Sequence, residues 1–213
     1  MIRNFNLDAQ AMKAIFAFVA AMLVAVPAAA QDDAVETEAR QALAEFAECI
    51  ARTAPGESDR VLRMDFTTAV YRRALADLSR GEEDRCFNRF DTMRAGNLLV
   101  AGSLAEHLLA RDPAALSRNL VQVAQAAAIE PHSASDRIAV CTLRSMPDET
   151  ATLFTTALGS DAETASYVNL MRVAELCRQA AELDREFYAN PAGLRAMLAT
   201  AAYRSIAALE EEG

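Results

Sequence analysis

Lysine is nearly missing from this 213-residue sequence. Lys13 is the only one, and it lies in an N-terminal stretch expected to be removed, so the mature chain has none. That excludes a Schiff-base lysine, a P-loop lysine and the S-x-x-K nucleophile, each of which needs an amine at a fixed place. A genome that writes Arg for Lys accounts for the bias, and the exclusions hold whatever its cause. Tryptophan is absent too. Clefts that cleave glycosidic bonds are normally lined with aromatics, so that class is set aside.

Several catalytic and metal-binding signatures are missing as well. There is no C-x-x-C, which removes a thioredoxin-like redox site. Neither His107 nor His132, the two histidines, lies near a cysteine, so the short local spacing of a zinc site is not met. No G-x-S-x-G elbow and no D-x-D-x-D-G calcium loop occur. Ser103 stands one helical turn before His107, with Glu106 adjoining, but no orienting acid or oxyanion hole can be named, so no catalytic residue is assigned. His132 reads as a solvated loop residue. The acidic clusters Glu82-Glu83-Asp84 and Glu210-Glu211-Glu212 read as a solvated turn and a frayed tail. No metal and no cofactor is expected.

What is present begins with a leader. Met12-Lys13 opens a short basic region, Ala14 to Val26 is an unbroken apolar run, and Pro27 precedes Ala28-Ala29-Ala30. That is the pattern of a secretory signal peptide over residues 1–30, cut before Gln31. The run is alanine-rich and short of the ~20 strongly apolar residues a membrane span needs. Because a complete signal starts at Met12, that residue is the expected start of translation. Leaving out Arg3, Lys13 and Asp8 lowers the basic count from 21 to 19 and the acidic count from 30 to 29, a net charge near −10. An acidic chain argues against nucleic acid or anionic lipid as a partner. The expected location is periplasmic or secreted, with no stable membrane span once the signal is cut.

The chain also spells one nine-residue pattern twice. "CIARTAPGE" (Cys49 to Glu57) and "CTLRSMPDE" (Cys141 to Glu149) both read C-x-x-R-[S/T]-x-P-x-E. A second cysteine follows each, Cys86 after the first and Cys177 after the second. "VYRRAL" (Val70 to Leu75) answers "SYVNLM" (Ser166 to Met171), and Gly96 and Gly193 each open an alanine- and leucine-rich helix. These features point to a tandem duplication: a first helical repeat over residues 31–111, a connecting helix and linker over 112–136, and a second repeat over 137–213. "EPHSASD" (Glu130 to Asp136) is the clearest linker.

The expected fold is all-α, the two units packing as one bundle-like domain. Leu43, Phe46, Ala47 and Ile50 recur at helical spacing. Phe66, Val70, Ala74 and Leu78 make a second apolar stripe, and Leu116, Leu120, Val123 and Ala127 a third. Within the repeated motif, Thr53 and Ser145 are expected to cap the next helix, with Pro55 and Pro147 in its first turn and Glu57 and Glu149 favoured there by the helix dipole. Arg52 and Arg144 are expected to satisfy the last carbonyls of the preceding helix or to pair with those glutamates. Asp112-Pro113, Ser160 with Glu163, and Asn190-Pro191 mark further helix starts, and Gly81 and Gly159 stops.

An exported chain with four cysteines implies disulfides. Repeat symmetry favours Cys49–Cys86 and Cys141–Cys177 over bridges between the units or free thiols.

The motif, the second cysteine about 36 residues on and the closing Ala/Leu-rich helix resemble a group of exported alphaproteobacterial proteins of unestablished function. The resemblance covers roughly Ala42 to Ile206. It implies export, paired cysteines and helices, and carries no activity or catalytic residues. The first functional expectation is a non-enzymatic interaction or structural module of the cell envelope, its partner another envelope protein. A carrier of a small apolar or amphipathic ligand between helices ranks second, and a hydrolase third.

Overall fold

The computed structural model describes residues 28–86 and 95–212. The expected leader, residues 1–30, lies almost wholly outside them. The described residues are helical and contain no strand: α1 (Ala28–Thr53), α2 (Pro55–Leu62), α3 (Ala69–Gly81), α4 (Glu83–Cys86), α5 (Asn97–Leu109), α6 (Pro113–Gln125), α7 (Ala134–Ser145), α8 (Pro147–Thr155), α9 (Asp161–Ala180) and α10 (Pro191–Glu212). The protein is all-α. None of these helices is long and apolar enough to cross a membrane.

Residues 36–213 form one compact unit. Its core draws on both halves of the chain, from Phe46, Ile50 and Leu75 to Leu143, Leu153 and Leu198. α10 runs through the middle and packs against α2, α5, α6, α7, α8 and α9. Leu194, Ala196, Leu198, Ala199, Ala201, Ala202 and Ile206 are all buried on it. A helix apolar on every side belongs in a core, and alanines let its neighbours come close. α5 comes closest, its Gly102 set against Ala196.

The two motif turns share one backbone geometry. Ala54 (φ −132°, ψ 56°) precedes α2 and Met146 (φ −136°, ψ 63°) precedes α8, and in each case the proline follows at the first helical position. The expected caps are displaced. Thr53 and Ser145 are the last residues of α1 and α7, and neither turn has a side-chain cap. Thr53 Oγ1 instead donates back to the Cys49 carbonyl. An early proline supplies no N–H, so one orphan donor is already gone and a cap is less needed.

Caps form where the chain leaves a loop. Thr68, Asp112, Ser133 and Ser160 each accept from the first turn of α3, α6, α7 and α9. Asn190 accepts from the Gly193 N–H. Ser133 lies in the stretch read as linker, which therefore ends as the start of α7. Gly159 turns between α8 and α9 at φ +73°, a conformation only glycine adopts at little cost.

Disulfides join Cys49 to Cys86 and Cys141 to Cys177, with Cα–Cα distances of 5.6 and 5.9 Å and no free thiol among the described residues. The apolar stripe of α3 is rotated from the expected one. Tyr71, Leu75 and Leu78 face the core while Val70 is 67% exposed, because the helix starts only at Ala69 and Phe66 belongs to the loop before it. On α6, Leu116, Leu120 and Val123 are buried as their spacing implies, but Ala127 lies beyond the helix end and is exposed.

Candidate functional site

The motif arginines do unlike work. Arg144 donates from Nη1 to the Val123 carbonyl near the end of α6, not to its own helix. Arg52 is exposed, and the Ala51 carbonyl in the last turn of α1 is satisfied instead by Arg111, at 2.9 Å. The motif glutamates do not pair with the motif arginines. Glu57 takes Arg60, one turn along on α2, since side chains three apart on a helix are neighbours whereas Arg52 sits across the turn. Glu149 is half-buried in the first turn of α8, where the dipole favours it.

Two buried arginines on α10 organise the interior. Arg195, 4% exposed, holds Glu106 of α5 with two parallel bonds of 2.7 and 2.6 Å, and reaches Glu163 of α9 at 2.8 Å. Glu163 also accepts from Arg40 of α1 and from the Gly159 N–H. Burial pushes the Glu163 pKa up, but the bonds from Arg40, Gly159 and Arg195 outweigh it and hold the carboxyl below its ordinary value. With two positive and two negative members the network is neutral, which such burial requires. It ties α1, α5, α9 and α10 together.

Arg204 is the second, 7% exposed and paired from Nη2 with Asp136, itself 4% exposed on α7. Asp136 also accepts from the His132 N–H at 2.8 Å. The Arg204 guanidinium lies 5.5 Å from the Phe66 ring centroid, and the His132 ring meets Phe66 edge-on at 5.5 Å. His132 is therefore packed against the α2–α3 loop, because Asp136 anchors its backbone there.

Each arginine borders a cleft. The first, about 380 Å³, lies between α1, α5 and α10 and includes Glu48, Ser103, Glu106, His107 and Arg195. Ser103 and His107 do share it, but no hydrogen bond joins them among the described residues. Burial depresses the His107 pKa, an effect that Glu48 opposes and that Arg111 and Arg52 reinforce. The geometry offers no activated nucleophile: the nearby Arg195 and Glu106 are engaged with each other. No group of three or more His, Cys, Asp or Glu that could hold a metal occurs among the described residues.

The second cleft, about 320 Å³, lies between the α2–α3 loop, α3, α5, α7 and α10. Leu62, Met64, Phe66, Leu98, Ala139 and Met197 give it an apolar wall, with Tyr71, Arg72, Asn97, Ser135, Asp136, Thr200 and Arg204 as its polar members. It falls in the range of small-ligand pockets, roughly 300–1,000 Å³ with mostly apolar walls and a few polar groups. Sequence reasoning did not find this cleft, because its lining comes from parts of the chain far apart in sequence.

The tail is helical rather than frayed: Glu210 and Glu211 continue α10, stay exposed and pair with Arg63 of the α2 end. Glu82 is not solvated: its Oε2 is buried and lies 3.6 Å from Arg85 Nη1. No protein-family profile, curated protein or solved structure matches the chain.

Proposed function

We propose that this is an exported, non-enzymatic binding protein of the periplasm or extracellular space, built from two copies of one disulfide-stapled helical unit. Its second cleft receives a small, largely apolar ligand. The apolar-walled space of about 320 Å³ over the Arg204–Asp136 pair carries this reading. A pocket with this lining satisfies an apolar body by exclusion from water and a polar end by the few groups at its floor.

The duplication is supported by the placement of the two clefts. Thr200 and Arg204 stand on α10 as Ser103 and His107 stand on α5. Ser135 and Asp136 precede Cys141 by the same interval as Leu43 and Ala44 precede Cys49, and both pairs line their cleft. The charges differ: the arginines of the first cleft, Arg40 and Arg195, are engaged with Glu106 and Glu163, whereas the second keeps guanidinium donors in reserve. An envelope protein as partner has weaker support. The exposed large apolar residues Val70, Leu98, Val121, Val168, Leu176 and Tyr188 are spread over α3, α5, α6, α9 and the α9–α10 loop.

The test uses the absence of tryptophan. Leu98 lines the cleft and is 43% exposed, so Leu98→Trp places a unique fluorophore at its rim. Titration with n-octanol is expected to shift the emission saturably. Emission that never moves up to octanol's solubility limit would sink the reading.

A further inference from the structure

We infer that the ligand of the second cleft is a small apolar monocarboxylate, its carboxylate held by Arg204 and the Tyr71 hydroxyl at the cleft floor; this rests on the ligand-binding reading above. The size follows from the space: a cleft of about 320 Å³ lies at the lower end of the roughly 300–1,000 Å³ range of small-ligand pockets, so a compact ligand fits.

The head group follows from what is left unused. A guanidinium has five N–H donors in a planar fork. Arg204 donates to Asp136 through Nη2 alone, and its Nε is buried with no partner among the described residues. Nη1 likewise makes no hydrogen bond among the described residues and is not buried as Nε is, so it is the donor a ligand in the cleft can meet. Asp136 meets Arg204 through Oδ1, while its Oδ2 accepts the His132 N–H. Tyr71 is 5% exposed, and its hydroxyl likewise makes no hydrogen bond among the described residues. Burial raises its pKa to about 12 against the opposing pull of Arg204, so at neutral pH the phenol keeps its proton and can donate it.

The charge agrees. The cleft is lined by Arg72 and Arg204 against Asp136, an excess of one positive charge on a chain whose net charge is −9. Arg72 is exposed and holds the Thr67 carbonyl at 3.0 Å, which places it at the rim. The floor pair Arg204–Asp136 is neutral by itself, so the charge offsetting a bound carboxylate is that of Arg72 at the rim, while the fork of the Arg204 guanidinium matches a carboxylate geometrically. The apolar wall of Leu62, Met64, Phe66, Leu98 and Met197 suits an unbranched or aromatic body carrying a single anionic group.

The experiment compares n-octanol and octanoate by calorimetry on the full mature protein at pH 7. The two share a chain and differ in the head. Octanoate is expected to bind about tenfold more tightly or better, since a charged hydrogen bond contributes roughly 1.5–3 kcal/mol and 1.4 kcal/mol is tenfold. Tyr71→Phe should weaken octanoate about fivefold with an unchanged unfolding midpoint, because the oxygen it removes has no hydrogen-bond partner among the described residues. Arg204→Gln should bring octanoate down to the octanol level. If that variant does not fold, Tyr71→Phe decides. Equal binding of the two ligands, or an unaffected octanoate affinity in Tyr71→Phe, overturns the carboxylate while leaving apolar binding in place. Failure of both ligands to bind removes the ligand-binding reading itself.

Discussion

Gly102 of α5 lies so close to Ala196 of α10 that a Cβ built on it would sit 2.3 Å from the Ala196 Cβ and 2.4 Å from its Cα. The approach belongs to the backbones, so no rotamer can relieve it. The crossing holds α10 central and brings Arg195 within reach of Glu106, and so one helix of each half is locked to the other.

Gly102→Ala is therefore expected to destabilise the protein by about 2–3 kcal/mol, the upper range for overpacking a filled core. Helix propensity by itself predicts the opposite sign, since glycine inside a helix costs about 1 kcal/mol relative to alanine. Urea denaturation with an unchanged m-value would show the loss, and a stabilised variant would refute the close crossing.

Removing Arg144 and removing Arg52 should differ although the two hold the same motif position. Arg144→Ala strips the Val123 carbonyl of a charged donor and is expected to cost about 1–2 kcal/mol. Arg52→Ala touches an exposed side chain and should stay within about 0.5 kcal/mol. Chemical denaturation of both variants side by side measures the contrast, and equal losses would contradict it.

The two disulfides are expected to open in order. Cys177 is 4% exposed and packed with Ile138 and Ala174, whereas Cys49 and Cys86 are both only partly buried. Mild reductant followed by alkylation and mass mapping should label Cys49 and Cys86 first. Deleting either bridge, which closes a loop of 37 or 36 residues, should cost roughly 4 kcal/mol on the chain-entropy account. Unfolding should remain one transition, because the core residues of both halves form one cluster.

Acid should destabilise in two stages. The folded pKa of His107 lies below its ordinary 6.5 because burial disfavours the imidazolium, so the unfolded chain takes up that proton first and stability declines as pH falls below 6.5. The carboxyl of Glu163 lies below its ordinary 4.5. Its contribution is complete above 4.5 and is lost as pH falls through the lower folded value. His107→Gln should abolish the earlier decline and spare the later one. Glu163→Gln should lose about 3 kcal/mol at pH 7, since Arg195 and Arg40 would then stay buried without their shared carboxylate. Stability curves of the three proteins against pH decide it; a His107→Gln curve identical to wild type would count against the first stage.

Much of the architecture was written locally. The proline after each motif turn, the caps at Asp112 and Ser160, the break at Gly159 and the buried spacing of Leu43, Phe46, Ala47 and Ile50 all follow from a few neighbouring residues. The pairing Cys49–Cys86 and Cys141–Cys177 was legible because the motif repeats and the two intervals are nearly equal. The rotated stripe on α3 was misread because periodicity does not say where a helix starts, and one residue of error turns the face by about 100°.

The sequence by itself determined an all-helical chain with two like turns and two like bridges, because caps, prolines and apolar periods act over one or two turns. Only the tertiary structure decided which arginine meets which acid. Arg195 finds Glu106 across 89 residues and Arg204 finds Asp136 across 68. Nothing near either arginine in sequence marks its partner, since a buried charge is neutralised by whichever carboxylate the packing brings alongside. The cleft over Arg204 has the same origin: four separate stretches of chain line it, and no one of them is recognisable as a site on its own.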